Sequence, residues 1–272
     1  MTRKLLLLLI SIGIVYHAPC YAAAEKITIC GTGDSQELLR LLASEFEKQN
    51  PDITIEVPDS IGSSGGIKAT ARGKCDMGRI ARPLKEKEKK YGLSSLFFAR
   101  SPVVFFANNS LKSIPSLSSE QIVNIYNGTT ILWQDIADLN GHIYVADREC
   151  GDSSRSAIEK TLAGFKEIKN KTGEVLYTTP EAIETVLGHD HTIGYSPLSA
   201  LVGRENVHIF QINAINPDQV SVSNGDYPLV TPLGLVWKEN ISAQAMQFID
   251  FLSKSDAVNI IIKAGSFPVP VK

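Results

Sequence analysis

Cysteine is scarce in this chain, and none of it is spaced for a metal or a redox dithiol. The cysteines are Cys20, Cys30, Cys75 and Cys150, and no two form Cys-x-x-Cys, which argues against a zinc ribbon or a thioredoxin-like site. Charge of one sign is missing too. The net charge is -2 over 272 residues, which argues against a nucleic-acid binder with its basic face. The densest charged run, Lys85-Glu86-Lys87-Glu88-Lys89-Lys90, alternates in sign and reads as a solvated helix surface. After the N-terminus there is no apolar run of the roughly 20 residues that a membrane helix takes. Internal repeats and low-complexity segments are also lacking.

The N-terminus itself has a different character. Arg3 and Lys4 precede an apolar run, Leu5 to Val15, broken only by Ser11 and Gly13, and Ala22-Ala23-Ala24 follows. This predicts a signal peptide over residues 1–24, cleaved after Ala24, and a periplasmic or secreted mature chain. Pro19 before Cys20 fits a lipidation signal poorly, so soluble export is the expectation. Cys30, Cys75 and Cys150 remain after cleavage. An oxidising compartment permits one pair plus a free thiol, or no pair.

Apolar residues make up 43% of the chain, enough for one large or two medium domains. Strand-like runs at 26–30, 53–57, 75–81, 143–146 and 192–195 alternate with amphipathic stretches. Glu37–Gln49, for example, places Leu38, Leu41, Leu42 and Phe46 on one face. Such alternation predicts an α/β fold with mostly parallel sheets. Leu96–Ala99 and Val103–Ala107 suit a core or a crossing between domains. A short helix is expected over 118–128, with Trp133 packing behind it in a second domain. Further strands are expected at 207–210 and 228–237, the latter interrupted by Pro232, and helices over 243–252 and 257–264.

Three loops open helices. The first is Gly31-Thr32-Gly33-Asp34-Ser35, the second Gly62-Ser63-Ser64-Gly65-Gly66, and the third Arg148-Glu149-Cys150-Gly151-Asp152-Ser153-Ser154-Arg155. Helix starts carry unpaired N–H groups and the positive end of the macrodipole, which favour an anion. Arginine adds a forked set of donors. Capping by Asp34, Ser35, Asp152 or Ser153 accounts for the same residues with no ligand at all. In an α/β fold, a cleft at the carboxyl ends of the strands would bring the three loops to one small ion. The second loop also matches Gly-x-Ser-x-Gly, which admits a secreted serine hydrolase using Ser64 with Asp190 and His191 or His208. His189-Asp190-His191 lacks a third ligand in reach and reads as a solvated loop. No cofactor or metal is expected.

These residues resemble the substrate-binding protein family of the bacterial phosphate ABC transporters, over nearly the whole mature chain. The likeness rests on Gly31 to Ser35, on Ile61-Gly62-Ser63-Ser64-Gly65-Gly66-Ile67-Lys68, on Asp76-Met77-Gly78 with Arg82-Pro83-Leu84-Lys85, on Glu120 to Gly128 with Trp133, and on Arg148 to Arg155. Ile193-Gly194-Tyr195, Tyr227-Pro228-Leu229 and Ala264-Gly265 also match. The resemblance implies a type II periplasmic binding protein of two domains, each a central, mostly parallel sheet flanked by helices, with the ligand in the cleft between them. The domains are expected over 25–104 plus 203–272 and over 105–202. The implied role is capture of inorganic phosphate and delivery to a membrane ABC permease, by a monomer that is not an enzyme. A different tetrahedral oxyanion, such as tungstate or molybdate, or a sensory role remains open.

By the same resemblance, Ser35 offers its hydroxyl and Gln36 its amide, Ser63 gives hydroxyl and amide, and Arg148 supplies the charge. The amides of Ser153 and Ser154 and the Ser154 hydroxyl close the site. Two positions depart from the family. Ala81 stands where some members carry an Asp that accepts the proton of hydrogen phosphate, and Asp152 stands where the family has Ser. Either Asp152 takes over the acceptor role, or it turns away to cap its helix or pair with Arg155. Ser153 in place of Gly makes the loop less permissive.

Overall fold

The computed structural model describes residues 25–269. The expected signal peptide and Cys20 lie outside the described residues. Strand β1 (Glu25–Gly31) leads through the first loop into helix α1 (Gln36–Gln49) and then β2 (Ile53–Glu56). Helix α2 (Gly62–Ala71), β3 (Met77–Ile80) and the short α3 (Glu86–Lys89) precede the long β4 (Ser94–Asn108). Next come β5 (Ser116–Leu117), α4 (Ser119–Tyr126), β6 (Tyr144–Arg148) and α5 (Ser153–Thr161). Strand β7 (Glu174–Leu176), α6 (Thr179–Gly188) and β8 (Thr192–Pro197) follow. The chain continues through β9 (Val207–Ile209), β10 (Gln211–Ile212) and α7 (Gln219–Asn224). It ends with β11 (Val230–Trp237), α8 (Ala243–Phe251), α9 (Ser255–Lys263) and β12 (Phe267–Pro268).

Strand β4 joins two lobes. Its Ser94–Pro102 half pairs antiparallel with β11, and its Val103–Phe106 stretch pairs antiparallel with β8. The two expected strands at 96–99 and 103–107 are therefore one. Pro102 has no N–H for a ladder and stands where the partner changes. In the first lobe β2, β1 and β3 are parallel, and in the second β8, β6 and β7 are parallel. Parallel strands need helical crossovers, which puts helices on both faces. In the first lobe, Leu38, Leu42 and Phe46 of α1 meet Phe248 and Ile261 on one face, and Ile67 of α2 packs on Ile80 and Val236 on the other.

The expected return to the first domain at 202/203 is displaced. Strand β9 pairs with Phe106–Asn108 of β4, β10 pairs with β5, and Phe210, Tyr227 and Leu229 join the second core. Pairing therefore moves the return to Leu229/Val230, because an apolar run does not say which sheet will take it. Strand β11 also runs through Pro232 with only a register shift after Leu233. Trp133 is fully buried in the second core as expected, stacks on Phe210 and donates its indole N–H to the His191 carbonyl at 3.1 Å. The charged run differs from its reading at one residue: Glu88 turns inward and receives both Arg82 Nη atoms at 2.8 and 2.9 Å. Residues 189–191 form a loop, and no three metal-ligating side chains cluster among the described residues.

Cys30 and Cys75 form a disulfide with Cα atoms 6.1 Å apart, and Cys150 is free and exposed. The bond ties the end of β1 to the entry of β3 over a separation of 45 residues. A loop of that size constrains the unfolded chain by about 4 kcal/mol. Reduction is expected to lower the melting temperature by roughly 10 °C. Calorimetric scans with and without reductant check this, and coincident midpoints would refute it.

Candidate functional site

The residues that follow the carboxyl ends of β1, β6 and β7 line one cleft of about 290 Å³. The first lobe contributes Thr32, Gly33 and residues 60–64, and the second contributes residues 148–153, Tyr177 and Thr179. The structure thus gathers the three helix starts expected from sequence and adds a fourth, that of α6. Its start was legible: Thr178 and Glu181 form a capping box, with Pro180 in the first turn. A larger hollow of about 630 Å³ lies near Tyr144 and His189, but no helix start opens into it.

Close backbone approach builds the first-lobe wall. A Cβ on Gly66 would lie 2.7 Å from the Gly31 Cα, so only glycine lets α2 begin against the end of β1. On the other wall Gly151 has φ +99° and turns the chain from β6 into α5.

Two buried hydroxyls adjoin the residues that line the cleft. Ser35 and Ser154 are fully buried, and neither Oγ has a hydrogen-bond partner among the described residues. Each such group costs about 1–3 kcal/mol until an acceptor arrives. Ser63 Oγ accepts the Ala81 N–H at 3.1 Å and lies 3.4 Å from Ser153 Oγ across the cleft. Accepting from Ala81 leaves the Ser63 proton to be donated elsewhere. Gln36 departs from expectation. Its N–H closes a turn on the Gly33 carbonyl at 3.1 Å, and its Oε1 accepts from Arg79 at 3.1 Å. It is scaffold for the loop, since a short turn captures the first amide before a ligand can.

Arg148 is buried at the end of β6. Its Nε donates to the Leu176 carbonyl at 3.1 Å and its Nη1 to Thr179 Oγ1 at 3.0 Å. Its Nη2 pairs with Asp152 at 3.0 Å and Glu149 at 3.3 Å. Burial works against its charge, but Asp152, Glu149 and Asp34 outweigh burial and hold its pKa above the ordinary value. Asp152 uses both oxygens: Oδ1 caps α5 by accepting the Arg155 N–H at 2.9 Å, and Oδ2 takes Arg148. The capping expectation matches this geometry. The expected ion pair with Arg155 does not form, and each Asp152 oxygen keeps a further lone pair with which to accept. Arg155 instead turns to Glu159 at 2.8 Å and Asp147 at 3.4 Å, and donates to the Arg148 carbonyl.

Besides Thr179, two residues of the site escaped the sequence reading. Arg79 is fully buried in β3 and donates to the carbonyls of Thr32, Ile29 and Pro58 as well as to Gln36. Burial lowers its pKa to about 10. The available signal was a lone arginine inside an apolar strand. Asp34, read only as a cap, is fully buried; its Oδ1 accepts from Thr179 Oγ1 at 3.0 Å, and its Oδ2 has no partner among the described residues. Burial foremost, then Asp152, pushes its carboxyl up to about 7 against the pull of Arg148.

The hydrolase constellation is not assembled. Ser64 Oγ accepts from Arg82 at 2.8 Å, Asp190 from Asn108 at 2.9 Å, and His208 is bonded to the Ile114 carbonyl at 2.7 Å. Ser64 sits in the first lobe and the other candidates in the second, so proximity on paper did not become contact.

Residues 21–256 match the family model of the PBP superfamily domain. The chain belongs to the PBP superfamily. The phosphate-binding protein PstS of Bacillus subtilis is 24% identical over 253 residues, covering 91% of this chain and 82% of the relative. PstS 2 of Streptococcus pneumoniae is 29% identical over 129 residues, 45% of this chain and 44% of its own. A Clostridium perfringens substrate-binding protein assigned to a phosphate ABC transporter, solved with bound phosphate, superposes with a TM-score of 0.80 at 25% identity. That match covers 90% of this chain and 100% of the other. A phosphate transport receptor from Vibrio cholerae, with a TM-score of 0.63 and 22% identity, shares the fold. The mixed α/β architecture with sheet flanked by helices is thus that of type II periplasmic binding proteins.

Proposed function

We propose that this PBP-superfamily chain captures inorganic phosphate in the cleft and hands it to a membrane ABC permease, working as an exported monomer. The reading is carried by one observation: Ser35 and Ser154, on opposite lobes, hold buried hydroxyls with no partner among the described residues. Such a pair suits a ligand that is all acceptor. Arg148 contributes charge, but Asp152 already offsets it. Neutral donors at the four helix starts therefore share the holding with Arg148, as they can for an anion stripped of water. Ser63 and Ser153 extend the donor set across the cleft. The segments 25–102 with 230–269 and 103–229 are then the two bodies that close on the ion. The Cys30–Cys75 bond supports an oxidising, extracytoplasmic location, and the relatives named above support phosphate over other oxyanions.

Calorimetry of the mature chain with phosphate, arsenate, sulfate and tungstate tests this. Phosphate and arsenate should bind tightly and sulfate and tungstate weakly. Preferential binding of tungstate would overturn the assignment, and a partner assay lacking a permease would favour sensing.

A further inference from the structure

Three carboxylates stand near Arg148, and they are used differently. Asp152 and Glu149 touch Arg148 directly. Asp34 reaches it through a hydroxyl: Arg148 Nη1 donates to Thr179 Oγ1 at 3.0 Å, and Thr179 Oγ1 donates to Asp34 Oδ1 at 3.0 Å. This relay crosses the cleft, because Asp34 belongs to the first lobe and Thr179 and Arg148 to the second. A parallel bond runs from Ser199 Oγ to the Asp34 carbonyl at 2.9 Å. The walls are in close apposition here, since a Cβ on Gly33 would lie 2.8 Å from the Thr179 Cβ.

We propose that Asp34 is a positioning residue for ion capture, holding Thr179 and through it Arg148 across the closed cleft, and that it takes up a proton as the lobes close. This rests on the phosphate-capture reading. The charged groups that face Asp34 are Arg148 from β6 and Asp152 from the start of α5; Thr32, Thr179 and Ser199 are neutral. Closure buries the carboxyl and brings Asp152 near, both of which disfavour its charge, while Arg148 only partly compensates. An arriving anion pushes the same way. Because Oδ1 accepts from Thr179, the proton resides on Oδ2, the oxygen without a partner among the described residues. With the lobes apart, water restores the ordinary acidity and the proton leaves. The folded, closed carboxyl is raised to about 7. Closure is therefore favoured by acid, weakens as pH rises toward about 7, and levels off above it.

Phosphate calorimetry on the mature chain, in buffers of different ionisation enthalpy between about pH 6 and 8, reads protons taken up per ion. The ligand's own proton cancels between variants. Wild type should take up a measurable fraction of a proton more than Asp34→Asn, which still accepts from Thr179. Thr179→Val should weaken phosphate binding about tenfold by cutting the relay. Equal proton uptake in wild type and Asp34→Asn overturns the proton linkage, and unchanged affinity in Thr179→Val overturns the positioning role. If the wild type binds no phosphate, the functional reading fails instead. The same proton count with whichever of arsenate, sulfate and tungstate the chain does bind then decides Asp34. Wild type should again take up more than Asp34→Asn, because the closed chain binds the extra proton. Equal uptake overturns the proposal.

Discussion

Arg148→Met should weaken phosphate binding about 100- to 1,000-fold, the range seen when one member of a buried, hydrogen-bonded charge pair is truncated. The guanidinium is committed to the Leu176 carbonyl, Thr179 and Asp152 at 3.0 to 3.1 Å, so it is held rigidly where an ion would arrive. Its removal also leaves Asp152 buried and unpaired, which costs about 3–5 kcal/mol of stability. The two effects separate in a double variant. Adding Asp152→Asn removes the stranded charge and should recover most of the melting temperature without recovering affinity. Arg148→Lys keeps the charge but not the fork, and should lie between. Calorimetry and thermal scans on the four proteins check the scheme. Phosphate affinity within a few-fold of wild type in Arg148→Met would remove Arg148 from the site.

The second large effect is expected away from the ion. Arg79→Leu should destabilise the first lobe by about 4 kcal/mol, because several buried acceptors lose their donor at about 1–3 kcal/mol each before relaxation. The expected fall in melting temperature is roughly 8–16 °C. Affinity should fall too, since Arg79 pins both the Thr32 carbonyl and Gln36 beside Ser35. Arg79→Lys is not a rescue: one ammonium does not span carbonyls at residues 29, 32 and 58. A melting temperature within a degree or two of wild type would show that water or the loop replaces these bonds.

Much of the site was legible locally. Ser35, Ser63, Arg148, Ser153 and Ser154 all sit in loops that open helices, a signal confined to eight or so residues of chain. Gln36 was legible as part of the loop, but its bonds to Gly33 and Arg79 were not, because which acceptor a first-turn N–H finds depends on how tightly the turn closes. Asp152 was ambiguous from sequence; the ladder end of β6 decided it by placing Arg148 opposite. Asp34 and Thr179 are 145 residues apart, and nothing in either neighbourhood announces the other. Arg79 was hidden because a strand position does not reveal whether its side chain meets solvent or carbonyls.

Periodicity and loop chemistry by themselves determined an α/β chain with anion-favouring helix starts and a basic residue at one of them. Those features act over a few residues, so they survive without knowledge of the fold. The partition between lobes, the return at Leu229/Val230, the pairing of Cys30 with Cys75 and the Arg148–Thr179–Asp34 relay were decided only by tertiary structure. Each depends on which distant strand completes a ladder, and hydrogen bonding between strands is satisfied globally, not along the sequence.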